Sequence, residues 1–272
     1  MTRWRDLRAR GQKQLKSADA GREISIFVRE ITGQTVVVWD EHPSIEEIQA
    51  FENFLLERAR GRPLSKVLEF RDFWKDRFFV TDDVLDPRPD SELLVEIGAS
   101  YSFANNVLEL GVGSGAVLLS LLKEMPEAVG LGTDISPKAL EIAKQNAVRL
   151  GLEDRVTWLE SDWFSEVEGK FDLIICNPPY LSMGEYGERE RALDWDPRIA
   201  LTDNADGLTA FRDIASKAAR FLTDNGVVLL EIGWTQAEAV KSIFISQGFD
   251  NIQVFRDINE KDRVMKIHRI KA

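Results

Sequence analysis

Glycines at 111, 113 and 115, set between the largely apolar run Val107–Leu110 and the apolar run that opens at Ala116, constrain this chain's fold more than any other feature. A strand that turns through closely spaced glycines into a helix begins a βαβ unit, because glycine lets the backbone turn tightly and lets the helix lie close on the strand. The pattern then repeats. Apolar runs at Ala128–Thr133, Arg155–Leu159 and Phe171–Ile175 alternate with helical segments from Leu93 onward, which predicts a doubly wound α/β sheet with right-handed crossovers. Ligands of such sheets bind outside the carboxyl ends of the strands. Four of those ends carry groups suited to chemistry.

The first is the glycine loop itself, and Gly111, Val112, Gly113, Ser114 and Gly115 are expected to contact a nucleotide-like cofactor. Its spacing is G-x-G-x-G, with alanine at 116, and not the G-x-G-x-x-G that aims a helix N-terminus at a pyrophosphate. Glu109 precedes the glycines and suits a cationic amino-acid end better than a phosphate. About twenty residues on, the next strand closes at Asp134, whose carboxylate can take both hydroxyls of a ribose; the competing role of helix N-cap falls better to Ser136, which Pro137 follows. The third end brings Asp162 and Trp163, a carboxylate and an aromatic plane, although a lone tryptophan is more often core. The fourth is Cys176-Asn177-Pro178-Pro179-Tyr180. Both prolines fix their own backbone angle and hold the preceding residue extended, so the Asn177 side-chain oxygen and the Pro178 carbonyl can be presented together to a planar nitrogen. Alone, the motif would also pass for a strand-ending turn. Four strand ends aimed at one crevice are not explained that way.

The order ELGVGSG, GTDISPKALEIAKQNA, SDWF and FDLIICNPPY resembles class I S-adenosylmethionine-dependent methyltransferases, and NPPY resembles those that methylate planar nitrogens. Phe79-Val80 through Val84-Leu85-Asp86-Pro87-Arg88-Pro89-Asp90-Ser91-Glu92, Trp195-Asp196-Pro197 with Ala200-Leu201, Leu229-Leu230-Glu231-Ile232-Gly233, and Arg256-Asp257 with Arg263-Val264 are similar to the peptide chain release factor glutamine methyltransferase family. The likeness runs from about Pro63 onward. Asp86, Ser91 and Lys75 depart from it, standing where an aliphatic residue, threonine and glycine are usual. The resemblance implies a Rossmann-like fold with a seven-stranded, mostly parallel sheet whose last strand is antiparallel, and a small N-terminal helical bundle. It further implies S-adenosyl-L-methionine as cofactor and, as substrate, the Gly-Gly-Gln glutamine of class 1 peptide chain release factors, methylated on its side-chain amide nitrogen. Asn177, Pro178 and Tyr180 are then the catalytic residues. Asn177 also borders the cofactor, and Pro179 joins those three against the substrate. Other readings stay open: a ribosomal-protein glutamine methyltransferase, an adenine-amino nucleic acid methyltransferase, and a nicotinamide-dependent oxidoreductase, which would need the pyrophosphate-binding spacing this loop lacks.

The domains are expected at 1–62, helical and, by resemblance, concerned with substrate recognition; at 63–80, a β-hairpin linker; and at 81–272, the methyltransferase. Helices are predicted from Trp4 to about Lys16, from Ala20 to Thr32 with Gly33 closing, and from Ser44, whose capping box with Glu47 opens a helix that Gly61 closes. The linker is read as strands at Val67–Phe70 and Phe78–Val80. Leu181–Gly207 is long and weakly periodic, and is expected to be a lid that meets the substrate. Its Trp195 and Arg198 are either substrate contacts or packing. Later elements are expected as a helix over Leu208–Leu222, a strand over Gly226–Glu231, a helix over Gln236–Gln247 and strands over Asn251–Phe255 and Val264–Arg269.

Residues 1–80 hold 15 Lys and Arg against 13 Asp and Glu, a net of +2, whereas residues 81–272 hold 20 against 33, a net of −13. An acidic catalytic part weighs against stable nucleic acid binding and accords with a basic protein substrate. No apolar run approaches the roughly 20 residues of a membrane helix, and no hydrophobic leader is seen, so a cytoplasmic, membrane-free enzyme is expected. The single cysteine, Cys176, and the two histidines offer no metal site; Cys176 is read as strand packing.

Overall fold

The computed structural model describes residues 2–101 and 103–268. The chain falls into two compact units, one comprising residues up to Phe70 with Arg191–Trp195, the other the remainder. In the first, α1 (Trp4–Leu15), α2 (Ala20–Thr32) and α3 (Ile45–Ala59) enclose Trp4, Leu7, Ile24, Phe27, Val28, Phe51, Phe54 and Leu55. Each helix ends where local chemistry stops it. Gly33 closes α2 in the left-handed region, and Ser44 with Glu47 caps α3 reciprocally through hydrogen bonds of 2.7 and 3.1 Å.

The strand expected at Val67–Phe70 is instead mostly helix: α4 covers Leu64–Leu68. Pro63 enters it with φ of −56°, its carbonyl accepts from the Val67 N–H, and Glu69 ends it with φ of 60°. A short apolar run does not distinguish strand from helix. The hairpin follows, with β1 (Phe70–Phe73) paired to β2 (Asp76–Phe79). Its turn places Trp74, not Lys75, in the left-handed region (φ 55°), which is why lysine is accommodated where the family usually has glycine.

In the second unit, α5 (Glu92–Ala99) leads to β3 (Asn106–Leu110), α6 (Ala116–Glu124), β4 (Val129–Asp134), α7 (Pro137–Leu150), β5 (Val156–Glu160) and β6 (Phe171–Cys176). After α8 (Met183–Glu188) come α9 (Thr209–Phe221), β7 (Leu222–Glu231), α10 (Ala237–Ser246), β8 (Asn251–Arg256) and β9 (Asp262–His268). Arg269, expected in the last strand, lies outside the described residues. The sheet order is β5-β4-β3-β6-β7-β9-β8, all parallel neighbours except that β9 is antiparallel to both β7 and β8.

The central strands are buried on both faces, as parallel strands covered by helices must be. Val107, Leu173, Ile175, Val227 and Leu229 point into the core that holds Leu118, Leu121 and Leu122 of α6; Leu108, Leu110, Ile174, Cys176, Val228 and Leu230 point into the core that holds Phe211, Ile214 and Phe244 of α9 and α10. The chain runs outward from β3 to β5 and returns on the other side at β6. The crevice therefore opens at the carboxyl ends of β3 and β6, the switch point of the sheet.

Candidate active site

Strand register brings three of the predicted ends together with the end of β7. Leu110 pairs with both Thr133 and Cys176, and Cys176 pairs with Leu230, so Gly111, Asp134, Asn177 and Glu231 follow in line at one edge. A cavity of about 350 Å³ opens there, lined by Gly111, Val112, Gly113, Ser114, Asp134, Trp163, Asn177 and Pro179. Glu109, Asp162, Arg88 and Ser91 line it too. Gly115 stands off the wall: it precedes α6 with φ of 79°, and a Cβ there would meet Leu119, Ala143 and Trp158 at 3.1–3.4 Å. Its surroundings are those of close helix packing. Pro178 and Tyr180 do not line it: Pro178 is buried between the wall residues Asn177 and Pro179, and the Tyr180 hydroxyl donates to Glu231 Oε1 at 3.2 Å.

Each wall residue is held from behind. Asp134 accepts the Gly113 N–H at one oxygen and the Ser136 N–H at the other, both at 2.9 Å, and Ser136 caps α7 as expected. Trp163 has a left-handed backbone (φ 50°), a costly state for a bulky residue. Ser161 Oγ secures it by donating to the Trp163 carbonyl at 3.0 Å and accepting the Glu166 N–H. Asn146 of α7, fully buried, donates to the carbonyls of Ser114 and Phe79 at 2.9 Å and accepts the Phe79 N–H at 2.7 Å, tying the glycine loop to the hairpin.

The approach to the cavity is clamped by Asp196. Its buried carboxylate accepts the Asp86 N–H at 3.0 Å and Arg88 Nη2 at 2.5 Å, while Pro197, Ile199 and Ala200 beside it line the cavity. Asp86, the departure from the family pattern, lies 3.9 Å from Arg71 Nη1, which offsets its buried charge. The remainder of Leu181–Gly207 carries α8 and two 3₁₀ turns. Trp195 and Arg198 are not on the cavity wall: Arg62 lies over the Trp195 ring at 4.9 Å, and Arg198 over Tyr186 at 5.1 Å.

Sequence reasoning gave Ser91 and Glu231 no role, yet they complete the site. Asn177 Nδ2 donates to Ser91 Oγ at 3.1 Å, and Ser91 Oγ donates to Glu231 Oε2 at 2.5 Å. Glu231 closes the run Val227–Leu230 just as Asp134 closes β4, and that carboxylate after an apolar strand was the signal that could have marked it.

A model of the methyltransferase small domain matches residues 81–189. A release factor glutamine methyltransferase of Agrobacterium fabrum is 36% identical over 264 residues, covering 93% of this chain and 91% of the relative. One from Cereibacter sphaeroides is 40% identical over 221 residues, covering 81% and 79%. The chain belongs to the release factor glutamine methyltransferase family. Among solved structures, the hMettl16 catalytic domain in complex with a 3'UTR hairpin superposes with a TM-score of 0.60 at 12% identity, over 90% of this chain and 93% of that one. A ribosomal protein L11 methylase from Lactobacillus delbrueckii gives 0.52 at 19% identity over 74% and 90%. At such identities the likeness is one of fold.

The cofactor of this family member is S-adenosylmethionine, a cation, and the cavity fits it. Burial holds the Glu109 carboxyl well above the usual carboxylate range; the Leu118 N–H, donating at 2.9 Å, draws it down, and nearby Asp134 adds to the rise. Asp134 is likewise raised by burial, with the N–H groups of Ser136, Gly113 and Ile135 opposing. When ionised, the buried Glu109 and the half-buried Asp134 make a field suited to a positive ligand. Asp134 would hold the ribose hydroxyls, Glu109 would face the amino group, and Trp163 would offer its ring to the base. Cys176 is fully buried, its thiol pushed well up by burial and by Glu109, Asp134 and Glu231, and takes no part.

Proposed function

We propose that this protein methylates the side-chain amide nitrogen of the glutamine in the Gly-Gly-Gln motif of class 1 peptide chain release factors, and does so in the cytoplasm. The observation that carries this reading is Asn177, set on the cavity wall with its amide nitrogen occupied by Ser91, so that its oxygen is left to accept. When bound, S-adenosylmethionine supplies an electrophilic methyl group and leaves as S-adenosylhomocysteine. The chain's own task is positioning. An amide nitrogen is a poor nucleophile because its lone pair is delocalised. The Asn177 oxygen and the Pro178 carbonyl would accept its two hydrogens and orient it, and such orientation supplies on the order of 7 to 11 kcal/mol in favourable cases. Tyr180, held through its hydroxyl by Glu231, would support the amide plane. No strong base is required, since the attacked amide acidifies as charge develops and loses its proton afterwards.

The test is transfer of labelled methyl from S-adenosylmethionine to unmethylated release factor, beside the same factor with its Gly-Gly-Gln glutamine replaced and beside a ribosomal protein extract. Label on the intact factor alone is expected. Asn177→Ala is expected to abolish transfer while cofactor binding largely persists. Label confined to ribosomal protein would move the substrate, and no label anywhere would sink the reading.

A further inference from the structure

The Asn177 amide fits its place in either of two orientations, which differ in whether oxygen or NH₂ faces the cavity. Ser91 chooses between them. Its hydroxyl carries one hydrogen, and a carboxylate can only accept. While Glu231 is ionised the Ser91 hydrogen is committed to it, at 2.5 Å, within the range of a charge-assisted hydrogen bond. Tyr180 donates to the other oxygen of Glu231. Ser91 Oγ can then only accept from Asn177, and the group it accepts from is NH₂.

We infer that Ser91 and Glu231 are positioning residues that set the orientation of the Asn177 amide, a conclusion that rests on the proposed glutamine methylation. They keep the Asn177 NH₂ turned into the protein and its oxygen turned toward the glutamine NH₂. In the flipped state two NH₂ groups would face each other and the substrate would be repelled.

The device is sensitive to pH in one direction. Glu231 is faced by Ser91 and Asp90 from the 3₁₀ turn Pro89–Ser91, by Tyr180 from the loop after β6, by Cys176 and Asn177 at the end of β6, and by Arg263 from β9. Arg263 is itself held by Asp90 at 3.1 Å and Asp257 at 3.3 Å. Burial raises the Glu231 carboxyl above its ordinary range, with Ser91, Arg263 and Tyr180 opposing and Asp90 adding to the rise. When pH falls and Glu231 takes a proton, it becomes a donor to Ser91. The Ser91 hydrogen is then free for the Asn177 oxygen, and the amide can turn.

The experiment compares the parent enzyme with Ser91→Ala and Ser91→Thr at saturating S-adenosylmethionine, on a release-factor peptide containing Gly-Gly-Gln. Ser91→Ala is expected to lower kcat by about 10- to 100-fold with little change in cofactor affinity, and Ser91→Thr, which keeps the hydroxyl, to recover most of that loss. Independently of turnover, the side-chain NH₂ protons of Asn177 are expected to be protected from exchange in the parent and Ser91→Thr, exposed in Ser91→Ala, and exposed in the parent at acid pH. Full kcat in Ser91→Ala, or equal exchange in all three proteins, overturns the assignment. A parent enzyme inert on glutamine would refute the proposed function instead, and the exchange measurement would still decide the orientation.

Discussion

Glu109 is a buried carboxyl whose ionisation costs the fold stability and whose charge would face the cofactor's amino group. Its folded value is raised, so the cost of holding it ionised is absent below the ordinary carboxylate range and grows as pH rises through the raised value. Glu109→Gln keeps an acceptor for the Leu118 N–H and removes the charge. The cofactor-free variant is expected to melt at a higher temperature than the parent at neutral pH, yet to bind S-adenosylmethionine about 10- to 100-fold more weakly, the worth of a charged hydrogen bond. In the parent, cofactor affinity is expected to weaken toward acid pH, beginning above the ordinary carboxylate range, as Glu109 and Asp134 take up protons. Calorimetry of the two proteins checks both. A variant that binds as tightly as the parent would remove Glu109 from the cofactor site. Glu109 and Asn177 were legible because each stands beside a glycine or proline turn at a strand end, and Asp134 because it closes the strand that follows the glycine loop. Ser91 was not, because its partner Glu231 lies 140 residues away, and only the sheet order makes them neighbours.

Among the elements, the loop after β6 depends on a glycine far along the chain. Gly207 has φ of 77°, and a Cβ there would lie 2.3 Å from the Tyr180 carbonyl and 3.0 Å from the Ser182 nitrogen. Gln236 pins the same place, donating to the Tyr180 carbonyl at 2.9 Å and accepting the Gly233 N–H at 3.0 Å. Asp203 orders the rest by accepting the N–H groups of Ala205, Gly207 and Thr209 at 2.8–3.0 Å. Gly207→Ala is expected to destabilise the protein by about 1–3 kcal/mol and to lower kcat more than it raises the KM for cofactor, because the carbonyl it displaces belongs to Tyr180. Thermal melts and steady-state kinetics decide; a variant with parental kcat would show that the loop yields without disturbing NPPY. The element pattern from β3 to β9 was readable to within a few residues, since apolar strands and capped helices alternate cleanly. Leu181–Gly207 was not, because its short turns are held by Asp203 and Asp196 rather than by any hydrophobic period.

For the molecule as a whole, the uneven charge carries a kinetic expectation. Residues 81–272 hold a net −13, which attracts a basic partner and is screened over a Debye length of about 8–10 Å at physiological salt. Raising ionic strength is therefore expected to lower kcat/KM for intact release factor while leaving kcat at saturation, and turnover of a short uncharged Gly-Gly-Gln peptide, little changed. A flat salt response for the intact factor would show that the acidic surface serves something other than encounter. No helix among the described residues is long and apolar enough to cross a membrane.

The order in which the site's parts leave the ribosome follows from the sheet. The glycine loop and Asp134 are neighbours in sequence as well as in space, so a growing chain can shape the cofactor end of the cavity early. The amide end must wait. Ser91 has no Glu231 until β7 is made, and Asp90 has no Arg263 until β9 has come back to lie between β7 and β8. The pairing that orients Asn177 therefore spans most of the second unit, whereas the glycine loop and Asp134 lie close together along the chain.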